Sequence, residues 1–318
     1  MSLTILLPVF NDWTAARLVL QALDEVCARA GMRPRVLLVD DGSSEPAPAD
    51  LVRREPKAIQ AVDLLQLYVN LGHQRAICTG LVYLAQVGVD GRVVVMDGDG
   101  EDAPDRIPAL LERYRALGEG TAVFAARGKR HEGLAFRSFY ALYRMVQRVL
   151  VGHDTRIGNF SVLPMALVQR LVRSTDLWNH YAAAVMRSRQ PMVTIPIDKA
   201  PRIHGTSRMN FTGLVVHGLS AVAVFGQTVS VRMLMGAVFL ASAAVAGLLA
   251  VLVLKLSNAL VIPGWATTAV GLLVVILLQM LLAATIFTLS LLASRTGQTW
   301  VPIRDCPTYI QGVRHLWG

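Results

Sequence analysis

The sequence predicts an α/β protein: a mostly parallel sheet with helices on both faces, followed by a C-terminal pair of long apolar helices. Three observations predict it. Five apolar runs alternate with segments of helical periodicity through the first 125 residues. The fourth run, Val93-Val94-Val95-Met96, leads straight into the acidic residues Asp97, Asp99 and Glu101. The C-terminal third holds two stretches of more than 20 residues with almost no charge.

Continuous apolar runs mark strands buried on both faces, and their alternation with helices indicates βαβ units. The strands read Leu3–Val9, Arg35–Val39, Ala61–Leu67, Arg92–Met96 and Ala122–Ala125. Thr14–Ala30 carries Leu18, Leu23 and Val26 at helical spacing and stops before Gly31; Arg75–Gln86 and Pro104–Leu117 read as the next helices. Residues 126–210 are less regular. Phe136–Val151 reads as a helix mixing aromatics with arginines, and Pro191–Pro201 as a loop or short strand. This part, residues 1–206, forms the first domain.

Thr212–Val229 has Leu214, Val215, Leu219, Val222 and Phe225 with few strongly polar residues, and residues 207–230 are read as a helix lying in a membrane interface, the alternative being a core helix of the soluble domain. Val231–Leu254 contains one charge, Arg232, and Gly264–Ser294 contains none. A span needs about 20 apolar residues. Residues 231–295 therefore read as a transmembrane hairpin, 231–254 and 264–294, joined by the short link Lys255–Pro263. Both its ends lie on one side of the membrane. Residues 296–318, with Trp, Tyr and Arg mixed, read as a tail near the interface on that same side.

The composition narrows the function classes. A hydrophobic fraction of 53% and a mean hydropathy of +0.46 exceed what a soluble protein needs. The net charge of +9 suits an anionic membrane surface, while no basic helix or aromatic-basic platform for nucleic acid is present. Cys27, Cys78 and Cys306 have no paired spacing, which argues against a disulfide framework and a zinc site. No signal-peptide pattern is read at the N-terminus, so the expected side for the soluble part is the cytoplasm, with the hairpin in the cytoplasmic (inner) membrane. The apolar hairpin face also offers a surface for a homo-oligomer.

Open α/β sheets bind ligands beyond the carboxyl ends of their strands. Acidic residues stand there after three strands: Asp12 in Pro8-Val9-Phe10-Asn11-Asp12, Asp40-Asp41 before Gly42-Ser43, and Asp97, Asp99, Glu101. Alternation along an extended chain sends the last three to one side. Three hard oxygen ligands suit Mg²⁺ or Mn²⁺, and such an ion suits a pyrophosphate; the same spacing also fits a solvated acidic turn. Asn70-Leu71-Gly72 opens a helix whose N-terminus favours an anion.

Taken in order, these segments resemble the GT-A-fold glycosyltransferases of family 2. Within that family they resemble the polyprenyl-phosphate glycosyltransferases, a group that includes dolichol-phosphate mannose synthase and bacterial undecaprenyl-phosphate glucosyltransferases. The resemblance rests on Pro8–Asp12, Asp40–Ser43, Asn70–Gly72, Met96–Pro104, Ala126-Arg127, Asp154–Phe160, Gly205–Arg208 and the terminal hairpin. It implies that Pro8, Asn11, Asp12, Asp40, Asp41, Asn70, Gly72 and Asp97 hold the nucleotide-diphosphate sugar. It also implies that Asp97, Asp99 and Glu101 hold Mg²⁺ or Mn²⁺. Arg127 matches an acceptor-phosphate arginine of the family, and Arg137 with Ser138 is a second candidate. Ser207 and Arg208 would meet a polyprenyl phosphate at the membrane surface. Asp154 and Asn159 would line the sugar pocket. Glycine at 98 and 100, where relatives are bulkier, suggests a mobile loop. His73, His153, His180 and His204 are given no catalytic role, and Trp178 is read as a packing residue.

The implied reaction moves a hexose, with a UDP-sugar favoured, to a polyprenyl phosphate such as undecaprenyl phosphate, with inversion. A lipid phosphate is already an anionic nucleophile, so it needs cations and desolvation rather than a strong base. Asp99, Arg127 and Arg137 are the expected catalytic set. A processive polysaccharide synthase is disfavoured because Gln169-Arg170-Leu171-Val172-Arg173 does not match a Gln-x-x-Arg-Trp motif and two spans are too few for a pore. A non-catalytic sugar-nucleotide binder is disfavoured by the intact acidic triplet.

Overall fold

The computed structural model describes residues 2–52, 55–118, 120–127, 157–205, 219–257, 263–296 and 300–318. The described chain divides into two compact units. The first holds the sheet together with its helices. The second holds the two long apolar helices.

The sheet has eight strands: β1 (Leu3–Val9), β2 (Arg35–Asp40), β3 (Ala61–Leu67), β4 (Arg92–Val95), β5 (Ala122–Arg127), β6 (Ile157–Pro164), β7 (Met192–Ile197) and β8 (Ile310–Trp317). Their order is β7-β5-β6-β4-β1-β2-β3-β8. Strands β4, β1, β2 and β3 pair in parallel, and β5 pairs in parallel with β7. Strand β6 is antiparallel to both neighbours, and β8 is antiparallel to β3. The runs Ile5-Leu6-Leu7 and Val93-Val94-Val95 are fully enclosed, because helices cover both faces. Helices α1 (Trp13–Arg29) and α3 (Ile107–Leu117) pack on one face. Helices α2 (His73–Gln86), α4 (Met165–Leu171) and α6 (Tyr181–Arg187) pack on the other, with the short α5 (Asp176–Asn179) alongside.

Residues 192–197, within the stretch read as a loop or short strand, form a strand at the sheet edge. Residues 157–160 of the stretch Asp154–Phe160 belong to β6, which inserts between β4 and β5. One expectation changes here. Residues 310–317, read as part of an interfacial tail, form the opposite edge strand, reached through α9 (Pro302–Asp305) and a 3₁₀ turn. An edge strand is half solvated, so β8 lacks the continuous apolar run that identifies a central one. The packed rings of Trp178, Trp300 and Tyr309 help hold this return to the sheet: Trp178 lies 3.9 Å from Trp300 and 5.7 Å from Tyr309 between centroids. The expected helix 136–151 lies outside the described residues.

Of the expected interfacial segment, residues 219–224 are helical. Their end is held to the sheet unit by the Arg187 guanidinium, which donates to the Val224 carbonyl. Residues 226–230 already belong to α7 (Gly226–Leu256), which pairs with α8 (Trp265–Thr296). Both are long and apolar enough to cross a membrane, with mean hydropathy 2.7 in each. At 1.5 Å per residue the 31 residues of α7 span about 46 Å, more than a ~30 Å hydrocarbon core. Gly247 lets the two helices approach: a Cβ there would stand 3.2 Å from Leu273. Leu272, Leu278, Leu282 and Phe239 remain exposed, as lipid-facing side chains would be.

Candidate active site

Three loops meet at the carboxyl ends of β1, β2 and β4, and their own hydrogen bonds shape them. Asn11 has a left-handed backbone with φ 49. Its side-chain oxygen accepts from the Ser44 amide at 2.9 Å and its amide donates to Ser43 Oγ at 2.9 Å, so the β1 and β2 loops are tied together. Asp40 Oδ1 accepts from the Ser43 amide at 3.0 Å. Asp41 is enclosed, and its two oxygens accept from the amides of Leu71 and Gly72 at 2.8 and 2.9 Å. Gly42 makes room for that contact: with φ 67, a Cβ there would lie 2.4 Å from the Val69 carbonyl carbon. Asp41 thus shapes the turn that starts α2.

The acidic loop differs from its expected extended form. Strand β4 ends at Val95, residues 98–99 form a turn, and Gly100 takes φ 83. Alternation does not apply across a turn. Among the described residues no three of Asp, Glu, His and Cys converge into a ready metal cluster. Each carboxylate instead faces a cation. The Lys199 ammonium lies 2.7 Å from Glu101 Oε2 and 3.7 Å from Asp97 Oδ2. The Arg202 guanidinium lies 2.6 Å from Asp99 Oδ2 and 3.7 Å from Asp12 Oδ2. Both cations sit on the segment after β7. It is zipped to the acidic loop by amide bonds from Ala200 to the Glu101 carbonyl (2.9 Å) and from Ile203 to the Asp99 carbonyl (3.0 Å). Glycine at both 98 and 100 lets the loop pack closely on its neighbours. A Cβ at Gly98 would stand 2.7 Å from the Pro8 carbonyl oxygen, and one at Gly100 would stand 2.8 Å from Ile203 Cβ.

His73, the first residue of α2, brings Nε2 to 3.0 Å from Asp97 Oδ1. Burial alone would raise Asp97, but the charge and hydrogen bond of His73, with Lys199 and Asn159, outweigh it and hold the carboxyl below its usual range. Desolvation pulls His73 down, and Asp97 more than reverses this, so the imidazole is raised. Burial raises Asp99, with the charges of Asp97 and Glu101 adding to it. Asp102, enclosed beneath the loop, accepts from the Asp97 amide at 2.9 Å. Burial, then the Asp97 charge, push it up to about 7.

The structure therefore brings Pro8, Asn11, Asp12, Asp40, Asp97, Asp99 and Glu101 to one sheet edge, with Gly72 capping α2 beside them. Asp41 is there too, but spent on backbone amides. Asn70 is exposed on the adjoining loop. Arg127 ends β5 with its backbone paired to Ile197. Arg137, Ser138, Asp154, Ser207 and Arg208 lie outside the described residues. The sequence reading missed His73, Lys199 and Arg202. His73 had a signal, one residue beyond the Asn-Leu-Gly turn. Lys199 and Arg202 had none beyond ordinary surface charge. The three carboxylates fit a hard dication by chemistry, and the ammonium bridging Asp97 and Glu101 marks a position where positive charge is held.

The chain was compared with known proteins. It is 24% identical to undecaprenyl-phosphate 4-deoxy-4-formamido-L-arabinose transferase of Klebsiella pneumoniae (strain 342), covering 96% of this chain and 91% of that protein. It is 22% identical to the uncharacterized glycosyltransferase YkcC of Bacillus subtilis (strain 168), covering 96% and 92%. Mannosyl-3-phosphoglycerate synthase from Rubrobacter xylanophilus superimposes with a TM-score of 0.49 at 15% identity, over 71% of this chain and 73% of that one. The apolar helices and the named transferases together point to membrane association. Residues 4–169, more than half the chain, match the family described as glycosyl transferase family 2; the chain belongs to that family and is a glycosyltransferase.

Proposed function

We propose that the protein transfers a sugar from a nucleotide diphosphate donor, a UDP-sugar by preference, to a polyprenyl phosphate such as undecaprenyl phosphate. The observation that carries this reading is the acidic edge formed by Asp12, Asp40, Asp97, Asp99 and Glu101 in a family 2 chain that also holds two membrane-length helices. The hairpin anchors the enzyme in the cytoplasmic membrane with the sheet domain in the cytoplasm.

An oxygen of the lipid phosphate attacks the anomeric carbon. The bond from that carbon to the nucleotide diphosphate breaks, the electron pair leaves with the diphosphate, and configuration inverts. Asp40, at the end of β2, accepts from the base or ribose in this reading, and Asp12 and Asp97 border the diphosphate. Asp97, Asp99 and Glu101 would hold Mg²⁺ or Mn²⁺, which when bound offsets charge on the leaving diphosphate. Lys199 and Arg202 supply positive charge at the same loop and turn toward the diphosphate when the donor enters. Arg127, Arg137, Ser138, Ser207 and Arg208 are the proposed contacts of the acceptor phosphate.

The test is transfer of radiolabelled sugar from UDP- and GDP-sugars to undecaprenyl phosphate, with metal and with EDTA, for wild type and Asp99→Ala. The Klebsiella pneumoniae relative is named for a pentose derivative, so the panel extends from hexoses to pentoses. Label in the organic phase that needs metal and Asp99 supports the proposal. Metal-dependent donor binding without any transfer to the lipid sinks it.

A further inference from the structure

Asp97 is held by a chain of hydrogen bonds that begins in the core. The Tyr181 amide donates to Gln74 Oε1 at 2.8 Å. Gln74 Nε2 donates to Asn159 Oδ1 at 3.0 Å. Asn159 Nδ2 donates to Asp97 Oδ1 at 3.2 Å and lies 2.9 Å from His73 Nε2, which stands 3.0 Å from the same oxygen. The origin is rigid, since Tyr181 is fully buried, its hydroxyl 2.6 Å from Ser161 Oγ and its ring against Phe124. Gln74 comes from the first turn of α2 and Asn159 from β6.

A side-chain amide can be turned either way, and only its partners decide. Here the decision is forced. A backbone N–H can only donate, so the Gln74 oxygen must face Tyr181. Its NH₂ must then face Asn159, and the Asn159 NH₂ must face Asp97. One main-chain amide thus sets the polarity of two side chains and adds the Asn159 donor to Asp97 Oδ1 beside His73. The other oxygen, Oδ2, is the one 3.7 Å from the Lys199 ammonium. We propose that Gln74 and Asn159 are positioning residues that, beside the His73 imidazole on the same oxygen, occupy Asp97 Oδ1 and so keep Oδ2 turned to the cation that accompanies the donor diphosphate. This rests on the proposed role of Asp97 in donor binding.

The experiment reverses the polarity without changing the shape. Gln74→Glu keeps the acceptor for Tyr181 but offers an oxygen where an NH₂ stood. Asn159 turns its NH₂ to the new carboxylate and its carbonyl to Asp97. Gln74→Met removes the partner of Tyr181 yet leaves Asn159 free to keep its NH₂ on the Asp97 charge. UDP and GDP affinity with Mn²⁺, KM for donor and acceptor, and melting temperature are measured at pH 8, where the new Glu is ionised. We expect Gln74→Glu to weaken nucleotide binding and raise the donor KM about 10- to 100-fold, the loss of one charge-assisted hydrogen bond, with acceptor KM unchanged. Gln74→Met is expected to melt lower but to change donor KM less than about threefold. A purely structural role gives the opposite ranking, Met worse than Glu in both readouts, and that result overturns the proposal. Asp97→Asn separates the two levels. If it abolishes nucleotide binding while Gln74→Glu does not alter it, the relay is refuted and the role of Asp97 stands. If Asp97→Asn binds nucleotide like wild type, both fall.

Discussion

Replacing Lys199 with methionine is expected to tighten, not weaken, the binding of a divalent cation. The Lys199 ammonium stands 2.7 Å from Glu101 and 3.7 Å from Asp97, with 22% of its side chain exposed. Exposed ion pairs contribute about 0–1 kcal/mol, and removing one partner of a buried pair costs about 3–5 kcal/mol. A bridging cation with one-fifth exposure falls between, at about 1–3 kcal/mol. In the wild type a metal ion must separate this pair before it can use the two carboxylates. In Lys199→Met they lose the ammonium between them, with His73 left beside Asp97 alone, and the ion relieves their repulsion. The Mn²⁺ dissociation constant should therefore fall by about 5- to 150-fold, while Lys199→Arg stays near wild type. The assay is a titration of free Mn²⁺ by electron paramagnetic resonance, on full-length protein in detergent without donor. Unchanged or weaker binding by Lys199→Met refutes the idea that lysine and metal compete for one position. Sugar transfer by Lys199→Met should drop even as metal binding improves, because a cation facing the diphosphate is lost.

Asp41 carries a pH prediction. Burial raises its pKa from 3.8 to about 6. A carboxyl raised on folding stabilises the fold fully below its unfolded value, and that contribution is lost as pH rises through the folded value. Asp41→Asn does not titrate, so its unfolding free energy should gain on wild type by about 2 kcal/mol between pH 4 and pH 7, read from urea unfolding at each pH. A gap that is constant with pH contradicts the desolvation argument. Gly100→Ala should destabilise by about 2–4 kcal/mol, from the left-handed backbone and the contact with Ile203. Adding Ile203→Ala should recover the steric part in the same unfolding measurement, and failure to recover it would place the strain elsewhere. Leu282→Arg, at an exposed position in the middle of α8, should cost about 2.5–3.5 kcal/mol of membrane insertion. Fractionation after expression should show it leaving the membrane pellet, and full retention would count against a lipid-facing α8.

Much of this protein is legible from local pattern alone. The strands β1 to β5 announce themselves as apolar runs because helices cover them on both sides, and the acidic residues after β1, β2 and β4 follow from where such strands end. The hairpin is legible for the same reason: a membrane span is a property of one continuous stretch. Tertiary structure decided what depends on distant partners. Arg202 reaches Asp99 across 103 positions and Gln74 reaches Asn159 across 85. No periodicity marks such pairs, so Lys199, Arg202 and Gln74 read as ordinary polar residues until the fold places them. Asp41 looked like a ligand beside Asp40, and only the turn at Leu71 and Gly72 shows that backbone amides claim both its oxygens. Strand β8 was hidden because an edge strand needs no apolar run; pairing with β3, not side-chain burial, defines it. The sequence by itself determined which segments are buried, since hydrophobic burial is written residue by residue. The tertiary structure decided which charges meet, since a charge acquires its role from the neighbour that the fold brings to it.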